Sequence, residues 1–275
     1  MKFSPLILVI IAFFSVVLLY QLPKSIVDNK DKSVENKKQA TQETSKDSHS
    51  QMSNWSEKTQ KEYEKIVQKY NKANEKEQIS WTDSLIVFFK TNMKFDSAAY
   101  YQEKIALKND NIQNWQKAGD SFYEAFKYAV SIDEKKAVTL AEKTQKYYEK
   151  IVAQNPNDLD TKANLAMTYI FDKNPMKPVL TLKDNLDKNE NHELTLLHLG
   201  MLAIRSGQLD KAVIRFEKII QLNPKNFEAK IYLADVWIKQ NKKQDAKKIL
   251  EEIAGLKDEK FQNWKQAAEE YLKQL

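Results

Sequence analysis

The chain has 275 residues, a formal charge of +6, four glycines, six prolines and no cysteine. The lack of cysteine excludes a disulfide framework, a thiolate metal site, a cysteine nucleophile and an acylated lipoprotein anchor. Few breakers and many Lys, Glu, Gln, Ala and Leu favour an all-helical chain.

The charge is spread thinly. Residues 1–50 hold seven lysines and five acids, which leaves a mild +4 for residues 51–275. Only two of the 44 basic residues are arginine, Arg205 and Arg215. Planar, bidentate readout of phosphate or guanine prefers arginine. No basic stripe stands out, so no nucleic-acid partner is expected.

Residues 6–22 read LILVIIAFFSVVLLYQL and follow the short head Met1–Pro5. The run from Phe3 to Leu22, about 20 residues, is long enough to cross a bilayer core of ~30 Å as a helix. It ends Leu18-Leu19-Tyr20-Gln21-Leu22-Pro23, without the small residues of a cleavage site. An uncleaved anchor over 1–23 is therefore expected, with membrane contact through residues 3–22. The lysines after the span favour a cytoplasmic body. A five-residue head is instead the layout of a signal anchor that exports its C-terminal body. We expect a single-pass protein of a bacterial cytoplasmic (inner) membrane with an extracytoplasmic body. Residues 24–54 are Lys, Ser, Asn, Gln, Thr, Asp and Glu with almost no large apolar residue. Such a segment cannot offset its ordering entropy by burial and reads as a polar tether.

The strongest signal is an internal period. Leu165-Ala166, Leu199-Gly200 and Leu233-Ala234 recur at steps of 34 residues, and the same step leads to Ala267-Ala268. Tyr169, Trp237 and Tyr271 follow three residues after the small one; Ala203 is the exception. Ala212 and Phe216 recur as Ala246 and Leu250, and Pro224 follows Phe216 by eight. Leu196-x2-Leu199-Gly200, then Ala212-x3-Phe216, then Pro224, resembles the tetratricopeptide repeat pattern W-x2-L-G-x2-Y, A-x3-F, P. Lys230-x2-Leu233-Ala234-x2-Trp237 with Ala246-x3-Leu250 is similar.

The resemblance implies two antiparallel helices per repeat, with small residues where backbones approach and large ones filling the gaps. Ser206-Gly207-Gln208 reads as the turn within a repeat, and Pro224 as the stop of a second helix. Upstream the fit loosens. Pro178 takes the expected alanine slot, so that second helix starts late or is short. Repeat 112–158 carries extra residues, read as two elongated helices around Ser131-Ile132-Asp133. Residues 55–75 read as a lone helix. Trp55, Trp81, Trp115, Trp237 and Trp264 read as packing residues.

The expected fold is all-α: a tetratricopeptide-like right-handed helical solenoid behind an N-terminal transmembrane helix. Its layout is an anchor 1–23, a tether 24–54 and a repeat domain 55–275. Within the domain, repeats are placed at about 79–111, 112–158, 159–192, 193–226 and 227–260, with a cap helix 261–275 whose Lys265, Glu269, Glu270 and Lys273 face out.

No chemistry-bearing constellation emerges. The histidines are His49, His192 and His198. A spacing of six does not put two ligands on one helix face. Glu251-Glu252 and Glu269-Glu270 are adjacent pairs that point apart, and no Gly-rich phosphate loop exists. No enzyme, cofactor or metal is expected. In the family the first helices line a groove. That alignment nominates Ala163, Met167 and Ile170, then Leu194, Leu197, Met201 and Ile204, then Ile231, Asp235 and Ile238. The Lys–Asn–Arg clamp that receives acidic chaperone tails is replaced here by Ala163, Met167, Leu197 and Met201. Apolar contacts with extended polypeptide are expected instead. The resemblance thus implies a scaffold or co-chaperone for exported or envelope proteins. A self-associating structural protein and a cytochrome c maturation-type assembly factor are the alternatives.

Overall fold

A computed structural model describes residues 55–275, and every described element is helical. The anchor and tether expected over residues 1–54 lie outside the described residues. Among the described residues no helix is long and apolar enough to cross a membrane. The chain divides into two compact units with a boundary after Ser121.

The described part of the first unit, residues 55–121, contains α1 (Glu57–Lys72), α2 (Glu75–Thr91), α3 (Phe95–Lys108) and the start of α4 (Ile112–Ala129). Ser56 caps α1 by accepting from the Thr59 amide. Asn74 and Glu77 form a reciprocal capping box that starts α2, ahead of residue 79. An aromatic core joins α1 to α2: Trp55 meets Tyr63 and Phe88 edge-on at 5.3 Å each, over fully buried Leu85. Trp81 lies under the Lys69 ammonium at 4.6 Å.

The described part of the second unit, residues 122–275, runs from the end of α4 through eight further helices. These are α5 (Glu134–Gln154), α6 (Leu159–Thr168), α7 (Lys177–Lys188), α8 (Glu193–Arg205), α9 (Leu209–Leu222), α10 (Phe227–Lys239), α11 (Lys243–Ala254) and α12 (Gln262–Leu272). Helices α4 and α5, of 18 and 21 residues, flank Ser131-Ile132-Asp133. In the next pair α6 tightens into a 3-10 turn, Tyr169–Phe171, and α7 begins at Lys177. Pro178 sits in the first turn of α7, where its missing N–H leaves no helical bond unmade. On α12, Glu269 and Lys273 are exposed while Lys265 and Glu270 are half-buried.

Three registers of 34 residues hold the helix pairs together. Asp158, His192 and Asn226 cap α6, α8 and α10 by accepting from the amides of Thr161, Thr195 and Ala229. Asn155, Asn189 and Asn223 end α5, α7 and α9. Gly207 and Asn241 take left-handed φ of 74° and 62° in the turns after α8 and α10. Both turns close with a bond from the next amide to the carbonyl five residues back, Gln208 to Ala203 and Lys242 to Trp237, at 2.8 Å each.

Packing explains the one glycine of the small-residue register. Phe216 on α9 is fully buried. A Cβ added at Gly200 on α8 would stand 2.5 Å from its Cε1. At the corresponding 34-residue steps stand Ala166 with Leu182 and Ala234 with Leu250, all four fully buried. A leucine tolerates the alanine methyl; the phenylalanine ring requires its absence. Gly200→Ala gains about 1 kcal/mol of helix propensity but overpacks a closed core, which costs about 1–3 kcal/mol. Net destabilisation is expected in denaturant unfolding followed by circular dichroism. Adding Phe216→Leu, which recreates the neighbouring pair, should restore much of the loss. A Gly200→Ala chain as stable as the parent would show that this contact does not set the helix spacing.

Candidate inner-face site of the repeats

The first helices of successive pairs touch one another: α6 with α8, α8 with α10, and α10 with α12. Theirs is therefore the inner face, and polar side chains recur along these helices. Asn164 on α6, His198 on α8 and Tyr232 on α10 follow one another at the 34-residue step. His198 is 5% exposed. Its Nε2–H donates to Asn164 Oδ1 at 3.0 Å, and Tyr123 Oη of α4 lies 3.5 Å from the same nitrogen. A bond from Nε2–H makes Nδ1 the acceptor of the neutral ring, and that Nδ1 has no hydrogen-bond partner. Tyr232 stacks on Phe216 at 5.5 Å, so the inner lining and the core share a wall.

The reach from α4 to α8 extends further, to α10. Glu228, in the first turn of α10, senses the charge of Lys127 on α4. Burial raises the phenol of Tyr123, and the Glu228 charge adds to it. Tyr232 is pushed well up by burial first, then by Glu228, Tyr271, Asp235 and Tyr123. Tyr271 of α12 is raised by burial and then by Asp235. Asp235 is raised by burial against the opposing Lys239 ammonium, with which it is ion-paired. Burial also lifts the Glu228 carboxyl above the ordinary range, against Lys127. Glu228 nevertheless remains exposed.

Of the residues nominated from sequence, Ala163, Met167, Leu197, Ile204, Ile231 and Asp235 are buried. Ile170, Leu194, Met201 and Ile238 are half-buried. Leu197 and Ile204 pack into one core with Phe216, which Leu194 and Met201 also touch. Ile231 packs with Leu250 and Ala268, beside Ile238. Inner-facing Asp235 is the member that joins the polar lining. His192 caps α8 and stands 3.3 Å from Asp160. No cluster of three metal-binding side chains occurs among the described residues. The sequence carried a signal for the lining, because Asn164, His198 and Tyr232 keep the period. Their different chemistries concealed it.

Burial holds His198 neutral, with the Lys127 and His192 charges adding to it, and lowers its pKa to about 3. An unfolded histidine binds a proton near pH ~6.5. Between those values the unfolded chain holds the extra proton, so stability is lost as the pH falls through that window. The limiting slope from this group is about 1.4 kcal/mol per pH unit. The raised carboxyls of Glu228 and Asp235 act oppositely: the folded chain keeps protons that the unfolded chain has released. The comparison of parent with His198→Gln isolates the histidine. The variant should show a shallower loss of denaturant stability from about pH 6 to pH 4. Equal slopes would mean that His198 is not held neutral by the fold.

Residues 203–270 match the sequence profile described as tetratricopeptide repeat. No curated protein matches the chain. Among solved structures, TTC0263, a thermophilic TPR protein of Thermus thermophilus, is 16% identical, with a TM-score of 0.49 over 67% of this chain and 95% of that one. YrrB, described as a TPR protein with an unusual peptide-binding site, is 15% identical, with a TM-score of 0.41 over 72% and 90%. MamA is 16% identical, with a TM-score of 0.41 over 67% and 95%. By their 34-residue register and the profile match, residues 203–270 are tetratricopeptide repeats.

Proposed function

We propose that this protein is a membrane-tethered tetratricopeptide scaffold that holds an extended segment of another protein against its inner face. The observation that carries the reading is the inner face itself. Lys127 and Glu228, from helices far apart in sequence, are both exposed, and burial raises the Glu228 carboxyl against the opposing charge of Lys127. Polar groups at regular steps along converging helices can meet a peptide backbone repeatedly, and half-buried Ile170, Leu194, Met201 and Ile238 add apolar contact beside them. Clients are exported or envelope proteins, and the role is that of a co-chaperone or assembly scaffold. The anchor is the apolar run of residues 3–22, in a bacterial cytoplasmic membrane with the body outside. No catalytic role is invoked.

Self-association is the second reading. Leu180 and Ile214, one 34-residue step apart on α7 and α9, are 54% and 65% exposed. Paired exposed aliphatics on successive second helices suit a second copy.

A photo-crosslinking residue placed at position 127 or at position 214 separates the two. Crosslinks to a client from 127 and none from 214 are expected. Client crosslinks from 214 alone would sink the inner-face reading, and crosslinks from 214 to a second copy would establish the alternative. The membrane part is tested separately. The full chain should resist alkaline carbonate extraction, and a chain lacking residues 1–23 should be released. Release of the full chain would remove the anchor.

A further inference from the structure

The joint between the pair α6–α7 and helix α8 is polar where its counterparts are apolar. Ile151, Asn185, Ile219 and Ile253 follow one another at steps of 34 residues, and all four are fully buried. Asn185 therefore fills a core place that the other second helices give to isoleucine. Its Nδ2 donates to the Leu159 carbonyl at 2.8 Å and to Thr195 Oγ1 at 3.2 Å, while its Oδ1 has no hydrogen-bond partner. A buried amide with an unmet acceptor costs stability, so packing does not explain the asparagine.

The direction of donation fixes the state of the neighbouring ring. The Thr195 hydroxyl accepts from Asn185, so its own proton can go to His192 Nδ1, 2.8 Å away. The Thr195 amide, which can only donate, points to the same Nδ1 at 3.3 Å. Two donors converge on one nitrogen, so Nδ1 carries no proton. The ring proton is on Nε2, 3.3 Å from Asp160 Oδ1 at the start of α6. His192 thus ties α6, α7 and α8 together while its ring is neutral.

A proton on Nδ1 would face the Thr195 amide with a second donor. Thr195 is fully buried, and its N–H would lose its acceptor. A positive ring is also repelled by the N-terminus of α8. The charge gains a stronger attraction to Asp160, but that side chain is 75% exposed, and exposed pairs are weak. Other charges at the joint are engaged or in water. Glu193 receives Asn223 and Asn226. Lys162 of α6 and Lys188 of α7 both pair with Asp184 of α7. Lys218 of α9 donates to the Glu190 carbonyl, and the side chains of Lys183, Asp187 and Glu190 are exposed. His198, further along α8, is held neutral by burial.

We propose that this joint is an acid-sensitive clasp: protonation of His192 releases the first turn of α8 and loosens its hold on α6 and α7. The corresponding cap one step on, Asn226, takes no proton and does not respond. The closed joint binds the proton less well than the open one. Closure is therefore lost as the pH falls through the ordinary histidine range, ~6.5.

Hydrogen–deuterium exchange of the full chain in detergent micelles tests this at the Thr195 and Ala229 amides, which the two caps hold. Each rate is divided by its intrinsic value, and the ratio of the two protections cancels a change in global stability. From pH 7.5 to pH 5.5 the Thr195 protection should fall severalfold relative to Ala229. The ceiling is about tenfold, reached if the closed joint binds no proton. Asp160→Asn should bring the fall nearer that ceiling, because it removes the attraction that opposes it. His192→Asn, which copies the Asn226 cap, should hold the ratio constant. His192→Asp, which copies the Asp158 cap, should do the same and serves if the first variant fails to fold. A constant ratio in the parent chain would overturn the proposal. So would a fall that survives in the variants without the histidine.

Discussion

The spacing of α8 and α9 is set by one contact, the ring of Phe216 against the bare backbone of Gly200. Two helices approach this closely only where one has no side chain in the way, and the space is then filled by the largest apolar group that fits. The neighbouring pairs solve the same problem with alanine and leucine, at Ala166 and Leu182 and at Ala234 and Leu250. Volume is conserved across each contact while its division between the two helices changes. The far side of Phe216 stacks on Tyr232, so the same ring that spaces one pair fixes a residue of the inner lining.

This linkage accounts for the polarity of the inner face. A first helix in such an array is flanked by its own second helix and by neighbours on both sides. Its apolar stripe must therefore be wide. Leu196, Leu197, Ile204, Leu233 and Val236 are consumed in that packing. What remains for the inner face is a narrow strip, and there the sequence places Asn164, His198 and Tyr232 together with Glu228 and Asp235. Buried polar groups cost free energy unless partnered. Most of the strip meets the requirement internally, through Asn164 with His198 and Asp235 with Lys239.

The repeat register was legible because it is written in residue size. Gly200, Ala212, Ala234 and Ala246 occupy places where only small side chains fit, and the turn at Gly207 and the stop at Pro224 are written in backbone restriction. The N-caps Asp158, His192 and Asn226 were not legible in the same way. Three different side chains supply an acceptor atom to the same amide, so a search for recurring identity passes over them. Asn241 hides for a related reason, since it adopts without glycine the left-handed φ that Gly207 adopts one repeat earlier. The inner lining needed more than a period. That Tyr123 of α4 reaches His198 of α8 depends on how sharply successive pairs curl, and a 34-residue spacing does not encode that angle. The apolar residues nominated for the groove sit beside the polar ones on the same helices. Five of them, Ala163, Met167, Leu197, Ile204 and Ile231, are buried, while Ile170, Leu194, Met201 and Ile238 keep part of their surface open.

The two carboxylates of α10 show how sequence divides structural from available charge. Asp235 and Lys239 are four apart, the spacing at which a helix brings side chains together. Their pairing offsets the desolvation that burial imposes on the aspartate. Glu228 is followed at that spacing by a tyrosine, and no cation on its own helix neutralises it. Helix-dipole attraction at the first turn favours its charge by about 0.3–1 kcal/mol. Desolvation outweighs this, since the carboxyl is raised rather than lowered.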